Sequence, residues 1–269
     1  MKNKGYLVLA ILSLCLFAFS GVTWAQVPSY IMWNQPPDWT LGYDIPSYYF
    51  EDEGGQAVGD DFQTDGTGYP IVDVHWWGSY QGDVNPQVPI GAPSPATNFW
   101  IGFWSDVPVD DSENELGYSY PGMFLKAYDS GELEGRKDGY QEWSERNGYY
   151  YEVEFSDDPL YLSPNTTYWV SILAMDDESW GWKTSSTHWN DDAIVAYLPP
   201  DTEEPIPGVT KLFDIAELEE LRHPQGHPYE GESVDMAFKV TAAPEPISSI
   251  LFATGGATLA FRRYWKRRR

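Results

Sequence analysis

The residues that most suggest a binding chemistry in this chain are its tryptophans. Three of them, with a histidine, fall within the ten residues from Trp180 to Trp189. An exposed indole ring offers a flat, mostly apolar face on which a sugar ring can stack. The tryptophans predicted to form a carbohydrate-binding surface are Trp77, Trp100, Trp104, Trp180, Trp182 and Trp189. The alternative interpretation is core packing, because large aromatic side chains are mostly buried.

Acidic residues form a second group that could bind a ligand. The pairs Asp60–Asp61 and Asp191–Asp192 are weak candidates for a Ca²⁺ site, because Ca²⁺ prefers several carboxylate and carbonyl oxygens. No spacing matches an EF-hand loop, and a chain with 41 acidic residues contains chance clusters. We therefore expect no cofactor, with Ca²⁺ as the alternative.

Other catalytic patterns are weak. His223 and His227 are four residues apart, but Pro224 and Pro228 exclude the helix that would align them, so a turn is predicted. His75 stands alone on its predicted strand, and we interpret it as a hydrogen-bonded partner within the sheet. The sequence has no Gly-x-Ser-x-Gly motif and no phosphate-binding loop. We expect no enzyme, although a glycoside-active enzyme remains an alternative, since its two carboxylates are paired in space and not in sequence.

The charge of the chain is distributed unevenly. The net charge is −25, but residues 26–243 contain eight Lys or Arg against 40 Asp or Glu, which is a net charge of −32. Such a segment repels nucleic acid and anionic membrane surfaces, so we expect no nucleic-acid partner. The one cysteine is Cys15, so residues 26–243 must be stabilised without disulfides.

The N-terminus has the three parts of a secretory signal peptide. Lys2 and Lys4 provide the positive start, an apolar run follows from Tyr6 to Phe19, and cleavage is predicted after Ala25. Residues 1–25 are therefore predicted to form a signal helix that uses Sec-type export machinery. The alternative, a lipoprotein signal at Cys15, is disfavoured because a large leucine precedes the cysteine.

The C-terminus has an apolar segment followed by positive charge. Ile247–Phe261 contains 15 uncharged residues, which as a helix would span roughly 22 Å. The basic cluster consists of Arg262, Arg263, Lys266, Arg267, Arg268 and Arg269. Because positive residues favour the cytoplasmic side, we predict a hydrophobic helix in the inner membrane with the preceding domain outside.

Pro244, Glu245 and Pro246 precede this apolar and basic tail. The combination resembles the PEP-CTERM sorting signal, a family in which the membrane protease exosortase recognises and processes the tail. The resemblance implies that residues 244–269 are a sorting tail, that an exosortase-like protease is a partner, and that the protein is exported to the bacterial cell envelope or beyond. The centre of the tail, Thr254–Thr258, departs from the family by having fewer leucines. A permanent tail anchor is the alternative.

Residues 26–243 are predicted to form one all-β domain. Apolar and polar residues alternate with a period of two, which indicates strands, and Pro-Gly-Asp-Asn clusters separate them. The segments concerned are Val72–Trp76, Phe99–Phe103, Met123–Tyr128, Tyr149–Phe155, Tyr168–Ala174, Asp192–Leu198 and Val234–Thr241. Many short strands favour an antiparallel, jelly-roll-like β-sandwich, with one short helix predicted at Lys211–Leu221.

Strings such as "GDDF", "IVDVHWWGSY" and "WGWKTSSTHWNDDAIV" resemble a family of secreted bacterial β-proteins with no assigned activity. That resemblance extends from about Gly59 to Thr241, implies a sandwich of similar topology, and gives no catalytic residues to carry over. We therefore expect a non-enzymatic exported protein of the cell envelope or extracellular matrix. A carbohydrate-binding module, with an exopolysaccharide as its partner, is the first alternative.

Overall fold

The computed structural model describes residues 29–198, apart from residues 51, 113 and 176, and residues 218–244. Thirteen β-strands and no helix occur in these ranges. The strands are β1 (Tyr30–Gln35), β2 (Asp44–Pro46), β3 (Tyr48–Phe50), β4 (Gly54–Gln63), β5 (Ile71–Tyr80), β6 (Pro93–Val107), β7 (Tyr120–Gln141), β8 (Arg146–Glu154), β9 (Thr167–Met175), β10 (Trp180–Lys183), β11 (Ile194–Leu198), β12 (Leu218–Glu220) and β13 (Phe238–Ala242). Each segment predicted from period-two alternation overlaps one of these strands.

The strands pair in the order β1–β13–β5–β8–β7–β6–β9–β3–β4–β11–β12, and β10 pairs with β2 and β5. The long strand β7 connects the two halves of this order. Its residues Tyr120 to Arg136 pair with β6, and its residues Arg136 to Gln141 pair with β8. The sheet is not closed, and the arrangement is that of a β-sandwich, as predicted. The sheet is mixed and not purely antiparallel, because β3 and β9 run parallel at Tyr48 and Ala174.

The main core is a cluster of interlocked aromatic rings contributed by distant strands. Trp76 stacks on Tyr151 with ring centroids 5.5 Å apart and an interplanar angle of 10°. Phe99 packs edge-on against Trp76 at 5.2 Å and against Trp180 at 5.0 Å. These four side chains come from β5, β8, β6 and β10, and all are almost fully buried. Their contacts therefore hold together strands that are far apart in sequence.

A second apolar cluster covers the other face of β6. Trp100 and Trp104 point away from the main core and pack with Trp169 and Leu173. Gly102 lies between the two β6 tryptophans, and a side chain there would overlap both indole rings. Both faces of β6 are buried, which explains why aromatic residues occupy both of its alternating positions.

One buried ion pair fastens β10 into the domain. Lys183 Nζ donates to Asp44 Oδ1 at 2.6 Å, to Gln141 Oε1 at 2.7 Å and to Ser79 Oγ at 3.2 Å. These partners lie on β2, β7 and β5. Burial lowers the pKa of the Lys183 ammonium, and the Asp44 carboxylate opposes that effect. Because three acceptors surround the ammonium, its desolvation is compensated within the protein.

The helix predicted at Lys211–Leu221 is wrong for the part of that segment that the structure describes. Leu218–Glu220 forms strand β12, in which Leu218 pairs with Ala196 of β11 and packs in the second apolar cluster. Pairing along this edge satisfies the backbone of β12 and outweighs its helical pattern. The rest of that prediction, residues 211–217, lies outside the described residues.

The predicted signal peptide with its predicted cleavage site at Ala25, and the predicted sorting tail beyond Pro244, also lie outside the described residues. The described residues within Ser29–Ala243 form one compact unit. Within the described part of the chain, no helix is long and apolar enough to span a bilayer.

Replacing Gly102 with alanine is expected to lower the free energy of unfolding by about 1–3 kcal/mol, because the new methyl group would overlap the rings of Trp100 and Trp104. Urea unfolding followed by tryptophan fluorescence would measure the change. Gly66→Ala is the matched control, since the nearest atom to its Cβ would be 3.4 Å away on Asn165. Equal stability of the two variants would contradict this account of the second apolar cluster.

Candidate functional site

Five of the six tryptophans predicted to bind carbohydrate are buried, and for them that prediction is wrong. Trp77 is the most accessible of the five, at 8%. Its Nε1 donates to Asp138 Oδ2 at 2.8 Å, and Trp182 Nε1 donates to the Ala237 carbonyl oxygen at 2.8 Å. The others are Trp100, Trp104 and Trp180, which pack in the two apolar clusters. The strands that carry these rings are covered on both faces, so the rings serve as core.

Trp189 is the exception, since it is half-buried beside a group of acidic side chains. Its ring packs edge-on against Trp33 with centroids 4.7 Å apart. Its backbone N–H donates to Asp235 Oδ2 at 2.7 Å. Trp189 therefore lies at the edge of the site that the acidic residues form.

Asp60, Asp61 and Asp235 form a buried group that we call the carboxyl cluster. Asp60 and Asp61 are consecutive on β4, so their side chains leave opposite faces of the strand. Asp60 Oδ2 accepts from the Met236 backbone N–H at 2.8 Å, and Asp61 Oδ2 accepts from Asn190 Nδ2 at 2.7 Å. Asp61 Oδ1 is buried without a hydrogen-bond partner.

Burial raises the pKa of all three carboxyls, because it removes the water that would stabilise their charge. It raises the pKa of Asp61 to about 9, with smaller contributions from nearby carboxylates and an opposing hydrogen bond from Asn190. It raises the pKa of Asp235 to about 6, opposed by His188 and the Trp189 N–H. For Asp60, burial and the charge of Asp235 both raise the pKa. Burial therefore favours the protonated forms of Asp60 and Asp61, and with a pKa of about 9 Asp61 is protonated at neutral pH.

The Ca²⁺ prediction is not supported by these positions. Asp192 Oδ2 pairs with Arg222 Nη2 at 2.5 Å, and Asp191 Oδ2 accepts from Asn190 Nδ2 at 2.7 Å. Across the described ranges, no group of three or more His, Cys, Asp or Glu side chains is placed to hold a metal ion. Each of the four carboxylates predicted to bind Ca²⁺ is instead bonded to a protein donor.

His75 lies on the outer face of β5 within a polar ladder that crosses the sheet. Its Nε2 pairs with Asp73 on the same strand, and its Nδ1 is hydrogen-bonded to the Tyr150 hydroxyl on β8. Lys239 Nζ on β13 donates to that hydroxyl at 3.2 Å. Both ring nitrogens of His75 are thus engaged by neighbouring residues of the sheet.

His223 and His227 lie in the turn segment between β12 and β13, where their rings stack at 4.1 Å with an interplanar angle of 6°. His227 Nε2 donates to the Leu41 carbonyl oxygen at 2.7 Å, and its Nδ1 accepts from the Tyr229 N–H at 3.1 Å. Both ring nitrogens of His227 are therefore hydrogen-bonded to backbone groups of other residues. His227 therefore has no ring nitrogen left to ligate a metal ion.

Further aromatic rings pack around this stack, one from the same segment and two from other loops. Trp143, in the turn after β7, packs edge-on against His227 with centroids 5.0 Å apart, and Tyr229 contacts the same ring at 5.7 Å. Tyr43, in the loop between β1 and β2, contacts both imidazoles, with its ring centroid 5.6 Å from each of theirs. We call Tyr43, Trp143, His223, His227 and Tyr229 the aromatic platform.

The platform combines exposed rings with a fixed base. Trp143 and Tyr229 are each 44% exposed, whereas His227 between them is 4% exposed. The Trp143 backbone N–H donates to the Thr40 carbonyl oxygen at 3.2 Å, which ties its turn to the loop that carries Tyr43. The platform therefore presents two accessible aromatic rings beside a hydrogen-bonded imidazole, an arrangement that can stack on a flat ligand.

Sequence reasoning missed this site because it searched for clustered tryptophans. Trp143 is isolated in the sequence, between Glu142 and Ser144, and it meets the two histidines only through folding. The available signal was local: an isolated tryptophan in a charged, strongly polar stretch cannot easily be part of a core.

A family model for a domain of unknown function, DUF7901, matches residues 24–241. The chain belongs to this family, because the match covers most of its length. No curated protein and no solved structure matches the chain.

Replacing Asp61 with asparagine is expected to flatten the pH dependence of stability. The pKa of Asp61 is about 9 in the folded protein and has its ordinary value of 3.8 in the unfolded chain, so the folded state holds the proton more tightly. This contribution to stability is full below about pH 4 and is lost as the pH rises towards about 9. The free energy of unfolding of Asp61→Asn should therefore fall less than that of the wild type between about pH 5 and about pH 8.

Urea unfolding at a series of pH values would measure both slopes. Asp157→Asn, which changes an exposed carboxylate, is the control and should retain the wild-type slope. An unchanged slope for Asp61→Asn would show that this carboxyl is ionised in the folded protein.

Proposed function

We propose that this protein is a non-enzymatic, exported component of the bacterial cell envelope or extracellular matrix. The observation that carries the proposal is the agreement of the two ends of the chain. A signal-peptide pattern precedes residue 26, and a PEP-CTERM-like pattern begins at Pro244. Between them lies an acidic segment without cysteine, which suits a protein that leaves the cytoplasm without needing disulfides.

The bonding of ionisable side chains supports a role other than catalysis. Both ring nitrogens of His227 are hydrogen-bonded to backbone groups, and both ring nitrogens of His75 are bonded to neighbouring side chains. Lys183 is enclosed by three acceptors. Groups engaged in this way stabilise the fold, whereas a general acid or base must reach a substrate proton.

The intact mass of the exported protein, purified from its host, tests this proposal. We expect a mass that lacks the first 25 residues and everything after about Pro246, as exosortase-type processing implies. A mass that retains Arg269 but lacks the signal peptide would make the tail a membrane anchor. Full-length protein confined to the cytoplasm would contradict export altogether.

Carbohydrate binding is the second candidate function, and the aromatic platform is the observation that favours it. The platform offers two accessible rings, Trp143 and Tyr229, above a buried imidazole stack. Two backbone hydrogen bonds hold the imidazole against which both rings pack, and preorganisation of this kind lowers the entropy cost of binding. We therefore propose that the exopolysaccharide partner predicted from the sequence would bind at this surface and not at the buried tryptophans.

Replacing Trp143 with alanine should weaken binding to a retained polysaccharide roughly tenfold, the loss of about 1.4 kcal/mol expected for one central interface aromatic. Affinity electrophoresis through gels that contain different polysaccharides would measure the retention. Tyr197→Ala on β11 is the control, because Tyr197 is 49% exposed and lies outside the platform. Equal loss in both variants, or no retention of the wild type on any gel, would remove this candidate.

A further inference from the structure

We propose that the aromatic platform binds a polysaccharide of amino sugars, in which free amino groups carry positive charge. This inference rests on the carbohydrate-binding function proposed above and names its ligand class. It follows from the charges that surround the exposed rings.

Carboxylates border the platform on several sides. Glu142 and Glu145 are exposed residues of the turn that carries Trp143. Asp38 and Glu232 lie near enough to His223 to act on its pKa electrostatically. Glu230 Oε2 accepts from the Gly226 N–H at 2.9 Å, which holds its carboxylate beside the turn that carries His227.

Positive side chains do not offset this rim. In the described segments 38–43, 142–146 and 222–232, the Lys and Arg residues are Arg146 and Arg222, and each is ion-paired. Arg146 Nη1 lies 3.1 Å from Asp44 Oδ2, and Arg222 Nη2 lies 2.5 Å from Asp192 Oδ2. Burial and the neighbouring His227 lower the pKa of His223, which disfavours a positive charge on its imidazole. The surface around the rings is therefore negative.

The chemistry of the ligand follows from these two features. A sugar chain can place its C–H faces on Trp143 and Tyr229, as any pyranose can. Protonated amino groups along the chain would gain from the surrounding carboxylates and from the faces of the indole and phenol rings. A chain of uronic acids would be repelled by the rim and by the −32 net charge of residues 26–243. An uncharged chain would have stacking alone.

Isothermal titration of the exported protein with three oligosaccharides of equal length tests the inference. The probes are hexamers of glucosamine, N-acetylglucosamine and galacturonate. At low salt and at a pH near 6, we expect the glucosamine hexamer to bind about tenfold more tightly than the N-acetylated one, and the galacturonate hexamer not to bind. The preference should largely disappear at about 0.5 M NaCl, because exposed charges are screened.

Two variants separate the contributions of charge and stacking. The double change Glu142→Gln and Glu145→Gln should reduce the preference for glucosamine severalfold and leave binding of the N-acetylated hexamer unchanged. Trp143→Ala should weaken both ligands. Tyr197→Ala is the control and should behave as the wild type.

The outcomes distinguish a failure of the amino-sugar inference from a failure of the proposed carbohydrate binding. Equal, salt-independent and Trp143-dependent binding of glucosamine and N-acetylglucosamine hexamers would overturn the amino-sugar inference and leave carbohydrate binding intact. Binding of neither would overturn the amino-sugar inference, and if no polysaccharide gel retained the wild type either, carbohydrate binding would be overturned with it. Displacement of the glucosamine hexamer by a lysine hexamer at equal concentration would show that the site recognises charge without the sugar ring, and would also overturn the inference.

Discussion

The stack of Trp76 on Tyr151, closed at its edges by Phe99 and Trp180, is the contact on which the rest of the domain depends. It joins side chains from four strands that are far apart in the sequence. No disulfide can replace it, because residues 26–243 contain no cysteine. Aromatic pairs of this kind add to the free energy of burial through their specific geometry, which favours one arrangement of the strands over other compact ones. The second apolar cluster on the other face of β6 extends the same principle outwards.

Buried ionisable groups in this domain offset the cost of desolvation in two different ways. Lys183 keeps a buried charge that three acceptors surround, so its strand β10 is fastened at one position and in one register. The carboxyl cluster instead avoids charge, since burial raises the pKa of Asp60 and Asp61 and favours their protonated forms. Because the folded state holds the proton of Asp61 more tightly than the unfolded chain does, the carboxyl cluster contributes most to stability in acid. Both solutions use polar atoms to specify the positions of strands that the apolar core alone would leave less defined.

The same burial decides where a ligand can bind. A domain that places aromatic residues on both faces of its strands must cover both faces, and this removes most tryptophans from the surface. Trp143 and Tyr229 remain accessible because they lie in turns, where side chains are not enclosed between layers. Their support comes from His227, whose ring is fixed by two backbone hydrogen bonds. The aromatic platform is therefore a surface feature that is positioned by buried contacts.

The sequence by itself determined the all-β class and the approximate positions of seven strands, because period-two alternation is a local property of each strand. It also determined the acidity of the domain and its lack of disulfides. It did not predict strands such as β10 and β12, which are short, nor the parallel pairing of β3 with β9. Only the tertiary structure decided that Trp100 and Trp182 are core while Trp143 is exposed, and that Asp61 meets Asn190 while Asp192 meets Arg222. The physical reason is that exposure and ion pairing depend on which layers and loops meet, and those contacts join residues that are distant along the chain.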